Sequence, residues 1–230
     1  MSLPAHFSSG RAKGFVPGEM IAQYELGSMR NFIYLILDPS TKDAAIVDPQ
    51  KDLRPVRDLE AHGYRLKSIL LTHSHHDHVA GVGPLLAERP DLPVFVHADD
   101  TFRLKNVPAK NLRHVNDGEI FRVGALAVEA LHSPGHSPGE VCYRVGGADG
   151  AGYLFTGDTL FIRDCGRTDF PESDNDAMFA TLQRLKGLPD SLVVLPGHHY
   201  APETASLLGV EKKSSPPLLC RSATELRDLP

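Results

Sequence analysis

The sequence contains no tryptophan, and its three cysteines, Cys142, Cys165 and Cys220, are scattered. An odd, dispersed set of thiols does not make a disulfide framework, so a reducing cytoplasm is the expected compartment. No stretch approaches the ~20 apolar residues that span a bilayer, and no membrane partner is expected. Residues 1–18 lack an apolar run of signal-peptide length and are expected to form a short disordered or clamping arm. There is no lysine- or arginine-rich run, and the net charge is −5, which speaks against a nucleic-acid partner. No repeat of fixed period and no low-complexity linker is found. What is present is a chain of 230 residues, 41% apolar and 23% charged, long enough for one large domain with its own core. It also holds twelve histidines, a number that needs an explanation.

The first half reads as strands. Asn31–Leu37 (NFIYLIL) and Ala44–Asp48 (AAIVD) flank a turn-rich DPSTKD and should form a hairpin. A helix is expected over DLRPVRDLEAHG, with Gly63 as its stop, and another over GVGPLLAER. Ser68–Thr72 (SILLT) and PVFVH read as buried strands. Residues 115–145 read as a strand meander, followed by YLFTGD, a helix over DNDAMFATLQRLKGLPD, and the strand of SLVVLPGHHY. Two short helices around a Pro-Pro break are expected in the tail. Strands thus come in two batches, each with helices, and no run of regular βαβ units is evident. Two sheets packed together and covered by helices fit this order. The expected divisions are an arm over 1–18, a domain over 19–200 and a short helical tail over 201–230 packed on that domain.

The histidines are not spread evenly. LTHSHHDH (Leu71–His78) follows a short apolar strand. His136 follows LHSPG, Asp158 follows YLFTG, and His198 follows VVLPG. Four strands are therefore each followed by a turn that carries an imidazole or a carboxylate, with glycine before the ligand type at Gly135, Gly157 and Gly197. Imidazole and carboxylate together suit zinc, iron(II) or manganese, and a set without thiolate disfavours a structural zinc site. In an extended stretch His73 and His75 point the same way and His78 is displaced, so one loop can feed two metals. Positions left open for water mark a catalytic site. His6, His62, His97 and His114 read as surface or satisfied polar groups. His76, His132 and His199 flank candidate ligands and read as supporting residues at most.

THSHHDH, SPGHSPG, FTGDTLF and PGHHY resemble the metallo-β-lactamase superfamily, from about Met20 to Tyr200. The resemblance implies an α/β fold, a four-layer αββα sandwich with the metal site at one edge of the sheets. It implies that His73, His75 and His136 hold one metal, that Asp77, His78 and His198 hold the other, and that Asp158 bridges them. Zinc, iron or manganese would fill a two-metal site. A water bridging the cations would be acidified and attack a carbonyl, with Asp77 helping to orient it.

Within the superfamily the chain is most similar to small glyoxalase II-like thioester hydrolases and to persulfide dioxygenases. NFIYLI, ILLTHSHHDHVAGV and PGHHY resemble the hydrolases, whereas Ile162–Phe170 (IRDCGRTDF) resembles the dioxygenases. The latter retain all seven positions yet use a single Fe(II) on the counterparts of His73, His136 and Asp158. The expected function is therefore hydrolysis of an acyl-glutathione or other acyl-thiol, with persulfide dioxygenation as the alternative. The expected partner is a small thiol-derived molecule, and homodimerisation stays open. Only 30 residues follow Tyr200, fewer than the glutathione-gripping helical domain of full-length glyoxalase II proteins requires. Arg167, Tyr200, Lys212 and Lys213 are candidates to bind the substrate, with an ion pair to Asp164 or Asp169 as the structural reading of Arg167 and a solvated face as that of the lysines. Cys165 reads as a buried, inert thiol.

Overall fold

A computed structural model describes residues 3–4, 7, 11–146 and 152–229. The first half builds one six-stranded sheet from β1 (Ile21–Leu26), β2 (Asn31–Leu37), β3 (Asp43–Val47), β4 (Arg65–Leu70), β5 (Val94–His97) and β6 (Leu112–Val115), in that spatial order. The second half builds another from β7 (Ile120–Val123), β8 (Leu126–His132), β9 (Val141–Gly146), β10 (Gly152–Gly157), β11 (Leu192–Pro196) and β12 (Ser206–Leu207), also in sequence order across the sheet. The expected hairpin is β2–β3, antiparallel with Leu37 opposite Ala44.

Strand β2 shows why the sheets stack. It is apolar at almost every position, a run that fits a strand covered on both faces. Phe32, Tyr34 and Ile36 face the second sheet and meet Tyr143, Phe155 and Leu195. Ile33, Leu35 and Leu37 face the other way, onto helices α1 (Arg54–Ala61) and α2 (Val82–Glu88). The outer face of the second sheet is covered by α3 (Asn175–Leu185) and by three short helices of the tail, α4 (Leu208–Ser214), α5 (Pro216–Leu219) and α6 (Ala223–Arg227). The result is the expected four-layer αββα sandwich, with three apolar clusters between its layers.

Local chemistry sets the helix ends. Pro55 sits in the first turn of α1, where its missing N–H costs nothing, and Gly63 ends the turn beyond it at φ +76°. The Asp174 carboxylate caps α3 by accepting from the N–H groups of Asp176 and Ala177. Met178, Leu182 and Leu185 then fall on its buried side.

Several expectations need correction. Strand β4 starts at Arg65 and ends at Leu70, so Leu71 and Thr72 already belong to the histidine loop. A run of βαβ units is present: β3, β4 and β5 are parallel and joined through α1 and α2, and β6 continues them. It escaped notice because the two helices have only 8 and 7 residues. Strand β1 was not anticipated. Pro216 and Pro217 open α5 and so begin a helix as well as break one. Of the arm over 1–18, residues 1–2, 5–6 and 8–10 lie outside the described residues, as does Pro230 of the tail. Phe7 is buried in the cluster between the sheets, and Phe15 stacks on His62 at 4.0 Å. No helix among the described residues is long and apolar enough to cross a membrane.

Two hydroxyls cross from one sheet to the other. Tyr34 donates to the carbonyl of Pro196 at 2.7 Å, and Tyr143 donates to that of Leu71 at 3.0 Å. Both acceptors end ligand-bearing strands or begin their loops. Tyr143→Phe removes one donor and leaves the Leu71 carbonyl buried without it. It should cost about 1–2 kcal/mol in urea unfolding, with the side-chain packing kept.

Candidate metal centre

Strands β8, β10 and β11 run in one direction, because β8 and β10 are both antiparallel to β9 and β10 is parallel to β11. Their C-terminal ends, and that of β4 in the facing sheet, meet at one edge of the sandwich. This is why residues far apart in the chain gather there. His73, His75 and His136 present ligand atoms within 4.8 Å of one another. Asp77, His78 and His198 form a second such trio, and Asp158 shares a third with His73 and His78. Asp158 spans the two sets: its oxygens lie 3.5 Å from His136 Nε2, 3.4 Å from His78 Nε2 and 3.4 Å from His198 Nε2. All seven expected positions are therefore brought together, and all except His75 are buried.

Two glycines make room for this approach. A Cβ on Gly197 would lie 2.4 Å from Asp158 Oδ1, and one on Gly157, itself at φ +48°, would lie 2.6 Å from Thr72 Cβ.

The outward nitrogen of each histidine identifies the protonated one. His136 Nδ1 donates to the Arg167 carbonyl at 2.9 Å, and His198 Nδ1 to the Met29 carbonyl at 2.9 Å. His75 Nε2 faces Glu172 at 3.2 Å, and His78 Nδ1 faces Asp48 at 2.9 Å. Thr72 Oγ1 gives its proton to Asp48 and so accepts from His73 Nδ1 at 3.0 Å. Each partner is an acceptor, so each outward nitrogen carries the hydrogen, and a neutral ring then turns a bare lone pair inward. Inward, His75 Nδ1 lies 2.9 Å from His136 Nε2, and His78 Nε2 lies 3.2 Å from His198 Nε2. His73 Nε2 and Asp158 Oδ1 are buried without any hydrogen-bond partner. Lone pairs converging at such distances repel unless a cation or a proton stands between them. The donor set thus fits bound divalent cations, and the outer acceptors fit the arrangement that orients metal-binding imidazoles.

Electrostatics separate the two trios. Burial lowers the basicity of His73, His75 and His136, which keeps them neutral. Burial also opposes a charge on His78, but Asp158, Asp48 and Asp77 outweigh it and raise this pKa to about 9. Asp158 is held well below the ordinary carboxylate range: His78 and His198 overcome the burial that favours its neutral form.

Around the centre lies a cleft of about 830 Å³. Met29, Val79, Phe161, Phe170 and Tyr200 give it apolar and aromatic walls, and Arg103 and Arg167 also line it. Arg167 pairs with Asp169 through two nitrogens and lies over the Phe170 ring at 4.7 Å. Tyr200 stacks on His198 at 4.7 Å, and burial raises its phenol to about 12, so it stays a donor at neutral pH. Cys165 lines the cleft as a protonated thiol, raised to about 12 by burial and then by Asp164.

Lys212 and Lys213 stand apart from the cleft; Lys212 reaches the Leu188 carbonyl and Asp190 at 2.5 Å each, and Lys213 is exposed on α4. Among the flanking histidines, His76 is exposed and His199 turns to Glu25 at 2.7 Å. Sequence reasoning missed Asp48, Glu172, Glu140, Asn31 and Arg103. Asn31 donates to Asp77 Oδ2 at 2.7 Å, and Glu140 accepts from the Asp158 backbone N–H at 2.6 Å. Glu172 is shared between His75 and Arg103. Of these, Asp48 and Asn31 carried a signal, each standing at the end of a strongly apolar strand.

Comparisons with known proteins agree with this geometry. The family model described as the Metallo-beta-lactamase superfamily matches residues 30–198. A hydroxyacylglutathione hydrolase of Aeromonas hydrophila is 38% identical over 171 residues, which cover 74% of this chain and 61% of that protein. The matched stretch thus spans less than two thirds of that relative. The crystal structure of ETHE1 from Myxococcus xanthus superposes with a TM-score of 0.80 at 29% identity, covering 92% of each chain. A protein solved in a di-iron-bound form gives a TM-score of 0.71 at 32% identity, covering 84% of this chain and 98% of that one.

Glu172→Ala should weaken the metal held by His73, His75 and His136 by about 10–100-fold, because His75 loses the acceptor that fixes its proton and ring. Glu172→Gln keeps an acceptor oxygen and should recover most of that loss. Competition against a chelator of known affinity reads both.

Proposed function

Since the chain belongs to the metallo-β-lactamase superfamily, we propose that it is a metal-dependent hydrolase that cleaves the thioesters of small acyl-thiols at a two-metal centre. The observation that carries this reading is the completeness of the second trio. Asp77, His78 and His198 each have an outer partner of their own, in Asn31, Asp48 and the Met29 carbonyl. This second set of oriented lone pairs is as fully supported as the first, which favours a second cation. His73, His75 and His136 would hold one zinc or iron ion, Asp77, His78 and His198 the other, and Asp158 would touch both. When bound, the cations supply Lewis acidity, which lowers the pKa of a water and polarises the thioester carbonyl.

The chain's own residues do the rest. Asp77 is ionised, because His78 and Asn31 outweigh its burial, and its carboxylate is the acceptor for the proton of the attacking water. Water oxygen bonds to the carbonyl carbon, the C–S bond breaks, and the proton returns to the departing thiolate. The Tyr200 hydroxyl, held by the stack on His198, donates to the substrate at the cleft mouth. Arg167, already paired with Asp169, contributes a partly neutralised cationic edge. The apolar walls accept the acyl chain and exclude water from it. The thiol carrier is a small molecule of the glutathione class, and three free cysteines are in keeping with a cytoplasmic site of action.

A second reading, a persulfide dioxygenase with one Fe(II) on His73, His136 and Asp158, is favoured by Ile162–Phe170 and by the likeness to ETHE1. Thiol release from S-lactoylglutathione and from a short acyl-thioester of N-acetylcysteamine separates the two readings from each other. Metal-loaded protein should release thiol from at least one of them, and Asp77→Asn should lower kcat by about 10²-fold or more. Oxygen uptake with glutathione persulfide, without thiol release from any thioester, would overturn the hydrolase reading.

A further inference from the structure

A second group of ligand-type side chains stands apart from the cleft. His97 ends β5 in the first sheet, His132 ends β8 in the second, and Asp99 lies in the first turn of the short helical segment Ala98–Arg103. None of the three lines the cleft. Each offers a ligand atom within 4.8 Å of those of the other two. In the sequence His97 looked like a surface or satisfied residue and His132 like a supporting one at most. Only the stacking of the sheets brings them together.

The hydrogen bonds again assign the lone pairs. His132 Nε2 donates to the Pro138 carbonyl at 2.9 Å, so its Nδ1 is bare. His97 Nδ1 accepts a long bond of 3.3 Å from the Asp99 backbone N–H, which an ion on this nitrogen would replace, and the Asp99 carboxylate lies 3.7 Å away on the same side. The two rings stack at 4.0 Å with 7° between their planes. Such a stack suits two neutral imidazoles, since two charged ones would repel. The backbone is fixed beneath them: His132 N–H donates to Asp117 at 3.0 Å, and Arg184 binds the His132 carbonyl at 3.1 Å. A turn about χ2, a soft torsion for histidine, parts the rings enough for both lone pairs to meet one ion.

The geometry points to a peripheral cation site at His97, Asp99 and His132, which takes one borderline divalent ion of the zinc, nickel or copper class. Two imidazoles and one carboxylate are the donors such ions prefer, and calcium or magnesium, which demand oxygen, are disfavoured. The ion would clip the two sheets together beside the catalytic edge. It would also brace that edge. The neighbouring Asp100 accepts from Ser74 at 3.0 Å and Ser137 at 2.6 Å, within the loops that carry His73, His75 and His136.

The test starts from protein already loaded at the catalytic centre and dialysed free of excess metal, then titrated with Zn2+ by calorimetry. Wild type should take up one further ion per chain and gain in melting temperature. Asp99→Asn should weaken this uptake by at least about tenfold, and His97→Gln/His132→Gln should abolish both the uptake and the thermal shift. Asp99 is 64% exposed, so its variant folds regardless of the site. The catalytic ions and thiol release before zinc addition should be the same in all three proteins. No further uptake by wild type, or uptake by the variants with wild-type affinity, would overturn the site.

Discussion

A single buried carboxylate holds the centre in register. Asp48, at the end of β3 and only 3% exposed, accepts from the Thr72 N–H at 2.8 Å, from the Thr72 hydroxyl at 2.7 Å and from His78 Nδ1 at 2.9 Å. These bonds fix where the loop after β4 departs and which way two of its histidines face. His78 is oriented directly, and His73 through the hydroxyl of Thr72. Because β3 and β4 are parallel neighbours, the carboxylate and the loop leave the same end of the sheet. The fold therefore supplies the anchor at the place where the ligands emerge.

From that anchor the rest follows by proton accounting. Carbonyls and carboxylates outside the rings take the imidazole protons, and bare nitrogens are left pointing at one another. Such an arrangement is repulsive by itself and becomes favourable when cations enter, so metal binding and the integrity of this edge are linked. The two trios respond differently. His73, His75 and His136 are poor bases in this setting and wait with open lone pairs. Asp158, Asp48 and Asp77 raise the affinity of His78 for a proton, so an ion in its trio competes with a proton there. One ligand loop thus serves two positions of unequal character.

Much of this was legible in the chain, for a physical reason. A ligand that follows a strand end must sit near the turn it occupies, so the loops of His73, His136, Asp158 and His198 announced themselves. The double-faced apolar run of β2 likewise announced a strand between two layers. The supporting residues were harder to see. Asp48, Glu140 and Glu172 are three among 29 acidic residues, and each meets its partner only through tertiary folding. The partners of Lys212 were equally hidden, because a lone lysine says nothing of the Leu188 carbonyl and the Asp190 carboxylate that it meets. The parallel run from β3 to β6 was hidden by the shortness of α1 and α2. His97 and His132 were passed over because they stand 35 residues apart in the chain and meet only when the two sheets stack.

The central claim is that these seven side chains hold two cations. Elemental analysis of protein purified without added metal tests it most directly. The account predicts close to two transition-metal ions per chain, zinc, iron or a mixture of the two. One iron per chain, with no second ion retained, would contradict it.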